Sequence, residues 1–397
     1  MTRPLPYPWL LAALGLLVAA LFCASLLIGP AGLGFFDSLA ALLAGRGEAE
    51  TLVMREIRAP RAVLGLMIGA TLGLSGAALQ GYLRNPLAEP GLLGVTGAAS
   101  LGAVAAIYSG LSLIFPLALP LMALGGAGLA SMLLIGLAGA RGGALTLILA
   151  GVALSALCGA LTALALNLSP NPFAATEIMF WMMGSLSDRS WTHVGLAAPF
   201  MLAGWAALGF AGRGLDALTL GEDAAASLGV RLDRLRLAVV LGAAASVGAA
   251  TAVAGGIGFV GLVAPHLLRR AVGARPARLL PAAALGGAAL LLAADIAVRL
   301  IAPERDLKLG VLTAHRNELD GPIPGPAFAR LTALRELRLH DNKLTGPVPP
   351  ELAECTRLEK LLLVNVRRMK QKRSVLEKLL HGSVKKRKRQ KRLELRR

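Results

Sequence analysis

The chain has 397 residues, of which 55% are hydrophobic and 16% charged, and its mean hydropathy is +0.65. That balance excludes a water-soluble globular protein for most of its length. The net charge of +18 belongs to one end: fifteen Lys/Arg against two Glu fall between Arg367 and Arg397, and the rest of the chain carries only +5.

Nine apolar stretches follow one another, near residues 9–29, 62–81, 91–109, 113–138, 143–168, 192–211, 237–257, 258–272 and 279–301. Each is long enough, or nearly so, to cross ~30 Å of hydrocarbon at about 1.5 Å per helical residue. The eighth is short and interrupted by Pro265. Residues 1–309 are therefore expected to form an all-α, polytopic transmembrane helical bundle. The first stretch has Arg3 ahead of it, as a signal peptide would. At about twenty residues, with no small-x-small cleavage site, it reads instead as an uncleaved helix. Cys23, Cys158 and Cys355 lack CxxC spacing and imply neither a disulfide framework nor a metal site.

Helix backbones approach closely in lipid only where side chains are small. Three ridges have that character: Gly65, Gly69 and Gly73 in the second stretch, Gly151, Ser155 and Gly159 in the fifth, and Gly242, Ser246, Ala250, Ala254 and Gly258 in the seventh. Tight packing is the plain reading; a sliding pathway between rigid bodies is the sharper one. Ionisable groups inside a membrane are functional suspects by default. Asp295 and Arg299, however, stand four residues apart and can satisfy each other on one helix face, a structural role. His266 has no carboxylate or thiol neighbour in sequence and does not read as a ligand.

Between the sixth and seventh stretches the pattern changes. From Leu215 the sequence LDALTLGEDAAASLGVRLDRLR alternates small apolar residues with Glu222, Asp223, Arg231, Asp233, Arg234 and Arg236. A polar helix between membrane helices is a place for another protein to grip. Basic residues facing the cytoplasm set topology, and counting spans from a cytoplasmic N-terminus places this stretch inside, with Arg58 and Arg61 outside. No G-x-x-x-x-G-K-[ST] phosphate loop is present, since the first lysine is Lys308 and nothing after it matches. If ATP drives the protein, another chain binds it. Neither a catalytic motif nor a cofactor site is expected here.

Lys308 also marks a seam. After Leu312, Asn317, Leu319, Gly321 and Ile323 recur as Asn342, Leu344, Gly346 and Val348, and Leu334–Leu344 has leucine-rich-repeat spacing. Residues 310–364 are expected to hold about two such repeats of plant-like type, fewer than the ~3 that bury a continuous core. Residues 365–397 form a basic tail. Its lack of aromatics favours a solvated segment over a nucleic-acid partner, with anionic membrane lipid as another possible surface.

Several strings in order carry a resemblance: REIRAPR (Arg55–Arg61), LSGAALQGYLRNPLAEPGLLGVTGAASLGA (Leu74–Ala103), ATEIMFWMMGSLSDRSW (Ala175–Trp191), the polar stretch, GFVGLVAPH (Gly258–His266) and ERDLKLGVLTA (Glu304–Ala314). Over about residues 9–314 the chain resembles the FecCD/BtuC-type permeases of ATP-binding-cassette importers for iron-siderophores, haem and cobalamin. The resemblance implies a bacterial inner-membrane permease that works as a homodimer, with ATP on two partner ATPase subunits and a periplasmic or lipid-anchored substrate-binding protein. By carry-over, Leu220, Gly221, Glu222, Ala225, Leu228 and Gly229 would form two short coupling helices broken at Gly229 and seated on the ATPase. Arg58, Arg61 and Arg305 would meet acidic residues of the binding protein. The fifth stretch, with Gly151, Ser155 and Gly159, would face the pathway. The family's tenth helix is missing: after GVLTA the chain turns to HRNELDG. Either the tail is exported or the chain is a fusion, the preferred reading, which leaves a non-functional product or a leucine-rich-repeat membrane protein as the alternative function. A secondary transporter would place carboxylates near the midplane, and the first eight stretches offer none.

Overall fold

The computed structural model describes residues 6–29, 36, 38, 40–41, 48–115, 117–138, 144–168, 172–301 and four short strands beyond them. By internal contacts the chain divides into Met1–Thr313 and Ala314–Arg397.

The first unit is helical. Its helices are α1 (Tyr7–Leu27), α2 (Glu48–Leu52), α3 (Ala59–Tyr82), α4 (Val95–Tyr108), α5 (Leu111–Ile114), α6 (Ala118–Ala138), α7 (Ala144–Asn167), α8 (Pro172–Met182), α9 (Trp191–Leu218), α10 (Glu222–Ser227), α11 (Leu232–Ala254), α12 (Val260–Leu268) and α13 (Pro276–Ile301). Among the described residues seven helices are long and apolar enough to cross a membrane. Seven of the nine expected spans have that length. The third and eighth stretches fold as the shorter α4 and α12, because each begins with irregular chain. A 3-10 turn at Pro90–Leu93 precedes α4, with Gly94 at φ 72°; Gly255 at φ 76° and Phe259 at φ 70° precede α12.

Helix α3 is the hub. Some 83% of its most apolar window is buried, against 17% for α1. The glycine ridge of α3 explains how α13 reaches it. A Cβ at Gly69 or Gly73 would run into the backbone of α13 at Gly287 and Ala283, and one at Gly76 would meet the carbonyl of Gly261. Tight packing is therefore what this ridge does. Gly242 and Ser246 of α11 do the same against Gly204 of α9. The two irregular entries also meet, since a Cβ at Gly261 would strike Pro90.

The second unit contributes β1 (Asp320–Pro322), β2 (Glu336–Arg338), β3 (Lys343–Thr345) and β4 (Lys360–Leu362). β1 pairs in parallel with β3, setting Gly321 opposite Leu344, and β2 with β4, setting Leu337 opposite Leu361. Each pairing joins segments about one sequence repeat apart. The basic tail, Cys355 and Arg305 lie outside the described residues.

Candidate functional site: two ends of the bundle

Contacts between helix ends gather at two poles. At the first, the polar stretch folds into a compact element. Thr219 Oγ1 donates to the carbonyl of Asp216 at 2.6 Å as α9 ends, and Gly221 turns the chain at φ 105°. Glu222 and Asp223 occupy the first turn of α10, where negative charge complements the helix N-terminus. Its C-terminus is closed by two bonds, from Gly229 N–H to the Ala226 carbonyl (2.9 Å) and from Val230 N–H to that of Ala225 (3.0 Å). With Gly229 at φ 84°, this is a Schellman cap. The expectation of two short helices is corrected. After Gly229 the chain enters the long α11 at Leu232, so one short helix and the first turn of a spanning helix form the element.

The six predicted residues are brought together but face different ways. Ala225 is fully buried against the core, whereas Leu220 (69%) and Leu228 (65%) are exposed although apolar. Glu222 approaches Arg84, just beyond α3, at 4.0 Å, both half-exposed. Asp216 Oδ1 accepts the backbone N–H of Ala277 at 2.8 Å. It thereby caps the first turn of α13, whose N–H groups have no partners within their own helix. Nearby, Arg269 donates to Gln80 Oε1 at 2.7 Å, and Gln80 Nε2 to the Leu262 carbonyl at 3.3 Å, joining α3 to α12. The sequence reading missed Asp216, Arg84 and Gln80. A carboxylate at the end of an apolar helix was the available signal for the first.

Deeper on this side lies Glu89, between α3 and α4. Burial pushes its carboxyl above the usual carboxylate range, and a hydrogen bond from the Phe259 N–H pulls the other way less strongly. It ties together the two irregular entries described above.

At the second pole the charges turn inward. Asp295 is fully buried. Its Oδ2 meets Arg299 Nη2 at 2.7 Å, the i,i+4 pair expected from sequence, and its Oδ1 meets Arg61 Nη2 at 2.8 Å, a third member from α3. Arg299 also donates to the carbonyls of Ser25 (2.8 Å) and Ile28 (2.6 Å) and to Ser25 Oγ (2.6 Å). Arg58 donates to the carbonyls of Leu26 (3.1 Å) and Leu27 (2.9 Å). Four carbonyls at the end of α1 are thus satisfied by two guanidinium groups, which also suit the negative end of the helix dipole.

This arrangement corrects the docking expectation for Arg58 and Arg61. Arg58 is buried, and the side chain of Arg61 is 17% exposed. Both are committed internally because the end of α1 needs donors and Asp295 needs counter-charge.

The pathway candidates on α7 also separate. Gly151 is buried, and a Cβ there would strike the Leu92 carbonyl; Ser155 Oγ reaches the Gly91 carbonyl at 3.4 Å. These two residues seat α7 on the 3-10 turn. Gly159 has open space beside it, on a face with exposed Val152, Ala156 and Ala163. Among the described residues no cluster of His, Cys, Asp and Glu could hold a metal ion.

Residues 16–315 match the FecCD transport family. The chain is 42% identical to the Fe(3+) dicitrate transport system permease FecD of Escherichia coli over 269 residues, 68% of this chain and 83% of that protein. It is 40% identical over 292 residues to the vitamin B12 import system permease BtuC of Vibrio parahaemolyticus, 72% of this chain and 85% of the relative. Among solved structures, an inward-facing metal-chelate type ABC transporter aligns with a TM-score of 0.69 at 32% identity, covering 77% of this chain and 95% of that one.

Proposed function

The chain belongs to the FecCD transport family, a multi-pass permease of the ABC importer class, and from that premise we propose a specific division of labour along its length. Its cargo is a metal chelate of the iron-siderophore type, carried across a bacterial inner membrane. ATP is bound and hydrolysed by a separate subunit seated on α10. A substrate-binding protein delivers the chelate at the Asp295 pole, and a second copy of the chain completes the pathway along the open face of α7 that carries Gly159.

One observation carries this reading: two apolar side chains that flank α10, Leu220 before it and Leu228 at its C-cap, face solvent from a capped helix anchored below by Ala225. Exposed leucines on a well-fixed element serve a partner better than they serve the fold. The links from this element run directly into the bundle. Arg84 leads into α3, and Asp216 holds the first turn of α13. A push on α10 would therefore reach the α3–α13 pair, whose glycine seam moves as one body. Docking is assigned to Arg305, since Arg58 and Arg61 are committed inside the fold.

The test is co-purification in detergent of the full chain with an ATPase subunit of this importer class, beside Leu220→Asp/Leu228→Asp. These side chains are solvent-facing, so the variant should melt as the parent does and bind the ATPase at least about tenfold more weakly, hot-spot losses of ~2 kcal/mol or more being usual for such anchors. A complex of parental strength in the variant rejects α10 as the contact.

A further inference from the structure

A groove of about 590 Å3 is left on the side of the bundle between α1 and α9, floored by α3 and α13. Its walls, including Val18, Leu74, Trp205, Gly209, Pro281 and Leu285, are almost wholly apolar. The groove exists because α1 and α9 each pack on α3 and α13 but scarcely on each other. Gly209 has no side chain to fill it and open space where one would stand. Trp205 cannot swing in to close it, since its Nε1 donates to Thr71 Oγ1 at 2.8 Å and fixes the ring as a wall. The mouth is open toward lipid, as the neighbouring Phe210 is 87% exposed.

The end of the groove nearest α10 is basic. On α9 the stripe of Trp205 and Gly209 continues at the same four-residue spacing to Arg213, which is exposed. On α13, Arg278 lies one turn before Pro281, also exposed. The Arg278 guanidinium lies 5.3 Å from the centre of the Tyr7 ring, and the Tyr7 hydroxyl donates to the Arg278 carbonyl at 3.2 Å. Tyr7 is three turns before Val18 on the same face of α1, so it marks the same end of the groove. Among the described residues neither Arg213 nor Arg278 has a carboxylate within salt-bridge distance.

We propose that this groove is a binding site for an anionic phospholipid of the leaflet on the α10 side, one acyl chain lying along Trp205 and the phosphate between Arg213 and Arg278. An apolar trough that ends in two unneutralised cations fits an amphiphile with a hydrocarbon tail and a negative head. A free anion would make no use of the trough, and a neutral lipid no use of the arginines. Basic pockets between spanning helices bind anionic head groups on this physical basis. The inference rests on the chain spanning a membrane, with α10 on the cytoplasmic side, and not on the identity of the cargo.

The test uses the full chain with Trp9, Trp181 and Trp191 replaced by Phe, reconstituted in phosphatidylcholine vesicles. Phosphatidylglycerol or phosphatidylcholine with brominated acyl chains is titrated in, and quenching of Trp205 is read. Brominated phosphatidylglycerol should reach half-quenching at a mole fraction lower by roughly fivefold for each arginine engaged. Arg213→Gln/Arg278→Gln should erase that preference while leaving the phosphatidylcholine curve in place, and Gly209→Leu should weaken quenching by both. If the triple replacement does not fold, the difference between the parent and Trp205→Phe supplies the same signal. Equal quenching by both lipids, or a preference that survives loss of both arginines, overturns the proposal. So does a Trp205 shielded from both lipids, which would make the groove a protein interface. None of these readouts depends on ATPase binding, so their failure leaves the transport reading untouched.

Discussion

At the end of the bundle where α1 stops, three arginines and an aspartate are folded inward; at the end where α10 sits, acids and arginines stand in solvent. The residue types are the same and their contributions differ. Asp295 is out of water, and its pairing with Arg61 and Arg299 compensates desolvation that would otherwise be severe. Glu222 and Arg84 approach only to 4.0 Å while half-exposed, and water does most of the work of solvating them. The charge network around Asp295 fixes where helices end. At the α10 end, Glu222 and Arg84 stay half-exposed and open to contacts with something else.

The contrast can be broken most sharply at Asp295. Asp295→Ala leaves Arg299 and much of Arg61 buried without a counter-charge, and should cost about 3–5 kcal/mol. Chemical or thermal unfolding in detergent would read it; a loss under ~1 kcal/mol would mean that water reaches the cluster. Asp216→Ala removes a single capping interaction at the other pole and should cost about 1 kcal/mol. Because it also removes the hydrogen bond from α13 to the end of α9, ATP-driven transport should fall by more than stability does.

Glu89 sharpens the comparison as a half-buried acid on the exposed side. Its folded pKa is raised, so the folded state holds its proton more tightly than the unfolded chain. Its contribution to stability is then fully present below the unfolded carboxylate pKa and is lost as pH rises through the folded value. Glu89→Gln keeps an acceptor for the Phe259 N–H and cannot ionise. The variant should gain stability relative to the parent as pH is raised through that window, and parallel pH curves for the two proteins would exclude burial as the cause. The smallest effect is expected of Glu222→Ala, within about 0.5 kcal/mol for so exposed a pair, read in the same unfolding experiment.

Much of the first unit was legible from periodicity and length alone, because a spanning helix must be a long apolar run. Seven runs behaved so. The third and eighth did not, since Pro90, Gly94 and Gly255 break the helix without lowering hydropathy much, and composition cannot see a turn made of glycine. The i,i+4 relation of Asp295 and Arg299 was legible because it is local. Arg61 as a third partner, 234 residues away in the chain, was not. The same holds for Asp216, whose partner is a backbone N–H and leaves no trace in the pattern of side chains. For the α10 element, the positive φ of Gly221 and Gly229 follows from glycine chemistry. That the second half would merge into α11 depended on Leu235 finding the core.

The seam between α3 and α13 has a mechanical consequence. Where Gly69 and Gly73 lie against Gly287 and Ala283, backbone touches backbone, and there are no side-chain rotamers to rearrange. That stretch of the interface, unlike the Arg61–Asp295 pair farther along it, has no adjustable parts: it either holds its register or comes apart. The two helices therefore behave as a single strut, and any alternation between accessible faces has to be produced by hinges at its ends, where glycines and capped turns already stand.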